Sequence, residues 1–288
     1  MSRVGDSGAG AAGSEVDSHS DLPLLLRLRP QVVVSNVIVV VVVAWLAVIA
    51  VDVLMIAGPR DWPLWASLFN DRFVEWLQWC LLGATIVAAS YLSACLRERG
   101  DRVGAAFFLI MSLAAALMLI EDAGDVRHVL VRMFAGEGTT ITPGVQLGVG
   151  HLIEMPYFLA LAALPVYAVA RYGRHVWAVR SVRPYLLSSF VLYAAAAGGS
   201  ALSGIGGLYA RIGAIIDQQL TGGRLLVSEE VERSDIHFNL VDSVIEESVE
   251  TVAAACLLAM VLAYAATTLD SKSTDDSVAR ESGGGHVG

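Results

Sequence analysis

The stretch VVVSNVIVVVVVAWLAVIAVDVLMI, Val32–Ile56, decides the fold. It is apolar around its whole circumference, and its one charge, Asp52, lies near the far end and reads as a headgroup-level acid. A helix without a polar face has no side to turn to water, and about 20 such residues cross the hydrocarbon core of a bilayer. Working outward, five further runs approach or reach that length: Phe73–Cys95, Val103–Ile120, Val149–Val169, Tyr185–Ile205 and Val244–Ala265. The expected architecture is all-α, a polytopic transmembrane bundle of six helices over residues 31–268. Tails at 1–30 and 269–288, rich in Gly, Ser and Asp, predict disorder, and the first lacks the apolar core of a signal peptide.

Composition agrees. Of 288 residues, 56% are hydrophobic and 16% charged, against about a quarter charged in a soluble domain. The net charge of -9 leaves no basic stripe for nucleic acid. Lys272 is the one lysine, so arginine supplies nearly all the positive charge, a bias common in bacterial genomes of high GC content. Cys80, Cys95 and Cys256 sit inside apolar runs without CxxC spacing and read as packing residues.

Arginine sets the orientation. Arg97, Arg99 and Arg102 fill the short connection between the second and third runs, and Arg171, Arg174, Arg180 and Arg183 fill the one between the fourth and fifth. The positive-inside rule puts both connections and both tails in the cytoplasm, N-in/C-in in the plasma membrane. Trp62, Trp65 and Trp76 then fall where an outer aromatic belt lies. Leu208–Leu220, in the longest outer connection, has apolar residues at helical spacing and predicts a helix on the membrane surface. Gly198, Gly199 and Gly204, with Gly206 and Gly207 beyond, predict close packing of the fifth helix against a partner, the other partners being membrane lipids.

On this topology the acids gather in one layer. Glu75 opens the second helix, and Glu121 ends the third, followed by Asp122, Asp125 and His128. His151 and Glu154 lie near the outer start of the fourth helix. Asp242, Glu246, Glu247 and Glu250 lie at the outer start of the sixth, after His237, which reads as a loop histidine. At 1.5 Å per residue, Glu250 is roughly 9 Å into its span and Glu154 roughly 7 to 8 Å. Glu121, Asp125 and His128 share a face if the third helix continues past Ile120, and Asp242, Glu246 and Glu250 form an i, i+4, i+8 stripe. Pro156 would free a carbonyl beside the site.

Carboxylates at that depth need counter-charge, and three arrangements supply it. A divalent transition metal (zinc, iron or manganese) would take Glu75, Glu121, His151, Glu154, Glu247 and Glu250 as ligands, with Asp125, His128, Asp242 and Glu246 in support. It would activate water or dioxygen against a lipid-soluble substrate. Soluble di-metal bundles use ExxH pairs, whereas His151-x-x-Glu154 runs in reverse. Alternatively, Arg72, Arg127 and Arg132 pair with the acids structurally, or the acids form the outer vestibule of a cation or proton-coupled carrier. A non-catalytic subunit is the remaining reading, packing through the Gly-rich fifth helix. No P-loop, GxSxG, HExxH or dinucleotide fingerprint is present.

The runs Phe73-Val-Glu-Trp-Leu-Gln78 and Ile245-Glu-Glu-Ser-Val-Glu250 resemble motifs of a loose group of bacterial multi-span proteins of unassigned activity. In that group an acidic pair also ends an intervening span, as Glu121-Asp122 does here. The resemblance implies a multi-span architecture and a set of acids, over about Asp71–Asp125 and Val241–Ala265. Membrane hydrolases similar to alkaline ceramidases also hold a metal among several helices, but through an HxxxH pair that this chain lacks.

Overall fold

The computed structural model describes residues 24–54, 56, 64–69, 73–124, 126, 129–130, 133, 149–203, 207–220, 222–223 and 233–269, with the backbone alone at 66–67, 149–155, 201–203, 220 and 233–235. Every regular element among them is helical: α1 (Pro30–Val48, continued by a π turn at Ile49–Val53), α2 (Leu64–Leu68), α3 (Phe73–Glu98), α4 (Arg102–Gly124), α5 (Val149–Trp177), α6 (Arg183–Ser203), α7 (Leu208–Leu220), α8 (Arg233–Asn239) and α9 (Glu247–Leu269). A second π turn, Leu240–Glu246, joins α8 to α9.

Among the described residues, four helical stretches are long and apolar enough to cross a membrane: Pro30–Val53, Phe73–Glu98, Arg102–Gly124 and Ile236–Leu269. These are four of the six expected spans. The other two, α5 and α6, are 29 and 21 residues long. Both reach into residues described by their backbone alone, 149–155 in α5 and 201–203 in α6.

The bundle is built around α9. Every residue from Ala253 to Ala265 is buried, as expected of a helix apolar on all sides. Its alanines let α3, α6 and α1 pack closely around it, while α4 lies on α3 and α5 on α4. The valine-rich α1 is peripheral. It turns Val37, Val41, Ala44 and Val48 inward and leaves Val32, Val39, Val42 and Val43 exposed.

The two arginine-rich turns and the C-terminal end of α9 meet at one end of the bundle. Arg99 donates to the carbonyls of Thr268 and Leu269 (3.1 and 3.4 Å), and Ser181 bonds Thr267 (2.9 Å). Asp101 is the hub. It accepts from the Gly104 N–H (2.9 Å) and the Tyr264 hydroxyl (3.2 Å) and pairs with His175 Nε2 (3.0 Å). Burial by itself would raise the Asp101 carboxyl, but the Gly104 amide, His175 and Tyr264 outweigh it and hold it below the usual carboxylate range.

The opposite end departs from the sequence expectations in several places. Asp52 is buried at 1% exposure and accepts the N–H groups of Leu64 (2.8 Å) and Trp65 (2.9 Å), so it caps α2 instead of sitting among headgroups. Trp65 is buried in a small cluster with Ala44, Val48, Phe69 and Val74, because α2 folds back under the end of α1. Trp76 is exposed on α3 as a belt residue would be, and Trp62 lies outside the described residues. His237 is helical, on α8, and pairs with Asp217 of α7 at 3.0 Å. Leu208–Leu220 is a helix with the expected bounds.

Among the described glycines, the closest backbone approach falls outside the Gly-rich stretch. A Cβ on Gly213 of α7 would collide with the carbonyl of His237 on α8. Of the glycines expected to pack, Gly199 lies close against the Tyr209 side chain of α7, whose hydroxyl would be 2.6 Å from such a Cβ, and Gly198 faces open space, while Gly204 and Gly206 lie outside the described residues.

Candidate functional site

The site is centred on Gln78, which is 1% exposed and one helical turn beyond Glu75 on α3. Its amide nitrogen donates to Asp122 Oδ2 at the end of α4 and to Glu250 Oε2 (3.0 Å) in the first turn of α9. Thr251 donates back to the Gln78 carbonyl oxygen at 3.5 Å. One side chain therefore ties three helices together at the level of the acids.

Around this knot the negative charges converge. Asp122 lies within electrostatic range of Glu250, Glu75 and Glu121, and Glu247 within range of Glu250, Asp122, Glu75 and Glu246. At the edges, Tyr157 of α5 donates to Glu121, and Tyr209 of α7 donates to Glu246 at 2.8 Å. Burial first, then the charge and hydrogen bond of Glu246, push the Tyr209 phenol above its ordinary value, which keeps it a proton donor.

The π turn at Leu240–Glu246 sets which acids face inward. An extra residue in that turn rotates Asp242 and Glu246 relative to Glu247 and Glu250, so the expected i, i+4, i+8 stripe is broken. Glu247 and Glu250 point into the cluster, and Glu246 turns toward α7.

A cavity of about 230 Å³ opens beside the knot. Gln78, Glu121, Asp122 and Glu250 are its polar lining at one end, and Met111, Met118, Phe158, Leu161, Val166 and Phe190 form apolar walls. Tyr193 lines it too, with a buried hydroxyl that has no hydrogen-bond partner among the described residues. The cavity exists because α5 packs on α4 and α6 on α9, so these consecutive helices touch little along their own seam. Pro165, within α5 and in the lining, removes the backbone bond to the Leu161 carbonyl and loosens the wall at that point.

The structure thus brings together Glu75, Glu247 and Glu250, with Glu121 adjoining through Asp122. Glu246 and Asp242 lie to the α7 side. The side chains of His151 and Glu154 and the whole of Asp125 and His128 lie outside the described residues, as do Arg72, Arg127 and Arg132. Among the described residues, no group of three His, Cys, Asp or Glu side chains is arranged to hold a metal ion. Gln78, Thr251, Tyr157 and Tyr193 join the site without having been expected in it from the sequence, and Asp122, read there as part of the acid layer but not as a ligand, stands at its centre. Gln78 had a signal, an uncharged amide one turn from Glu75 in an otherwise apolar span.

The fold and site define a helical protein with several helices able to span a membrane and a carboxylate cluster held at one end of the bundle. No protein family, curated protein or solved structure matches the chain.

Proposed function

We propose that this chain is a six-span integral membrane protein, N-in/C-in, that binds a lipid-soluble organic cation at its outer-leaflet acids and exchanges it against protons. The observation that carries the reading is the cavity with carboxylates at one end and apolar walls elsewhere. Its volume is about one and a half times that of a cavity known to admit benzene. Such a shape suits an ammonium group with an apolar body, held by carboxylates and by the faces of Tyr193, Phe158 and Phe190. The sparse contact between α5 and α6 supports entry from the lipid side. Acids this close in a low dielectric need counter-charge, and either protons or the bound cation supplies it. Six spans are supported by the lengths of α5 and α6 and by their packing on α4 and α9. The collection of arginines at the opposite end supports the orientation. The likeness to the loose group of multi-span proteins fits the same set of acids.

A melting curve of the purified full chain tests the reading, with an alkylammonium and with the alcohol of equal chain length. The amine alone should raise the midpoint, and Glu250→Gln should abolish the rise. Equal shifts from amine and alcohol would reject it.

A second reading, a metal-dependent membrane enzyme, draws on one observation: Tyr157 reaches Glu121, and Glu154 precedes Tyr157 by one turn on α5. His151 and Glu154 would then complete a set with Glu75, Glu121, Glu247 and Glu250 for zinc, iron or manganese. Bound transition metal in purified protein, and a midpoint lowered by chelator, would favour it over the organic cation.

A further inference from the structure

The bundle has a second opening, at the arginine end. It is a crevice of about 480 Å³ between the last turns of α5 and the first turns of α6. Val169, Leu186, Leu187 and Phe190 give it apolar walls, and Arg174 and Trp177 stand in its lining where α5 ends. Leu187 (55% exposed) and Trp177 (42%) leave this surface uncovered by the rest of the chain.

Its charge is one-sided. Between Ala170 and Pro184 there are four arginines and no acid. The nearest carboxylate tied to this turn, Asp101, is already engaged by Gly104, Tyr264 and His175. Arg183 is held over the Trp177 ring, 5.8 Å from its centroid, and donates through Nε to the Trp177 carbonyl at 2.7 Å. Arg171 lies over Tyr172. Arg174 and Arg180 have no carboxylate partner among the described residues. The start of α6 adds the positive end of a 21-residue helix at the same mouth. An apolar slot with Arg174 in its lining and Arg183 held on its Trp177 is complementary to one kind of membrane component, an acyl chain carrying a phosphate.

We propose that this crevice holds one anionic phospholipid. Arg174 takes the phosphate, Trp177 sits at the glycerol level, and one acyl chain lies along Val169, Leu187 and Phe190. The crevice shares Phe190 with the wall of the cavity but holds none of the acids, and it does not depend on the function proposed for them. A zwitterionic lipid has the same chain but sets a cationic group beside the arginines, so it should bind more weakly.

The test uses the full chain in detergent with phosphatidylglycerol, phosphatidylcholine of the same chains, or inorganic phosphate. Native mass spectrometry and melting curves provide the readouts. One phosphatidylglycerol should be retained per chain and should raise the midpoint, while phosphatidylcholine and phosphate do neither. Arg174→Gln should weaken retention roughly tenfold or more, the usual scale for losing a charge-assisted phosphate contact. Leu187→Trp, which fills the slot while leaving the arginines in place, should also weaken it. Equal retention of both lipids, protection by phosphate alone, or unchanged retention in both variants would overturn the proposal.

Discussion

Replacing Gln78 with leucine keeps the bulk of the side chain and removes the amide that donates to both Asp122 and Glu250. The size of the effect depends on the charge of the acids. Hydrogen bonds between neutral groups across membrane helices average about 0.6 kcal/mol in double-mutant cycles, so two such bonds would be worth roughly 1 kcal/mol. Bonds to charged groups are worth about 1.5–3 kcal/mol each, so two would come to roughly 3–6 kcal/mol. Once its protons are released at alkaline pH, the cluster presents anionic oxygen to the amide, and Gln78→Leu measured there should cost about 3 kcal/mol or more. The assay is equilibrium unfolding of the full chain in mixed micelles for wild type, Gln78→Leu, Glu250→Gln and the double variant. The cycle should give a coupling of about 1.5–3 kcal/mol between Gln78 and Glu250. A coupling at or below about 0.6 kcal/mol would refute the reasoning, because a neutral pair would explain it equally well.

Four further outcomes can be checked. Gly213→Val should lower the melting midpoint sharply, by about 1–3 kcal/mol of overpacking against the His237 carbonyl, whereas Gly198→Leu, which faces open space, should leave it unchanged. Asp52→Ala should destabilise by about 0.5–2 kcal/mol through loss of the cap on α2, measured by the same unfolding assay. Because the folded Asp101 carboxyl is lowered, its stabilising contribution is present above its unfolded value of about 3.9 and is lost as pH falls through the folded value. Melting curves from pH 6 to pH 3 should therefore fall more steeply for wild type than for Asp101→Asn. In a cysteine-free background, cysteines at positions 2 and 271 should resist a membrane-impermeant thiol reagent in intact cells, and one at 139 should react. Labelling of both tails would overturn the proposed orientation.

Much of the fold was legible because lipid leaves few ways to read a long apolar run. Val32–Ile56 and Val244–Ala265 both announced helices, yet the sequence could not rank them. The first proved peripheral and the last central, a difference that rests on alanine against valine at the packing face. Glu75, Glu247 and Glu250 were legible as members of the acid cluster because a charge inside a span is costly wherever it sits. Gln78 gave the weaker signal of an uncharged amide one turn from Glu75, and its role rests on the approach of α4 and α9. The i, i+4, i+8 stripe failed for a local reason. Periodicity assumes a uniform α-helix, and the π turn at Leu240–Glu246 shifts the register where the acids lie. The importance of Gly213 over Gly199 was likewise invisible, because it depends on where α8 returns across α7.

The most direct test of the central claim is equilibrium binding of a radiolabelled alkylammonium to the purified full chain, measured across pH. Wild type should bind one cation per chain, with affinity weakening as protons compete at lower pH. Asp122→Asn and Glu250→Gln should each abolish saturable binding while retaining helical content. Binding of equal affinity in wild type and both variants, or affinity that ignores pH, would contradict the proposed cation–proton exchange.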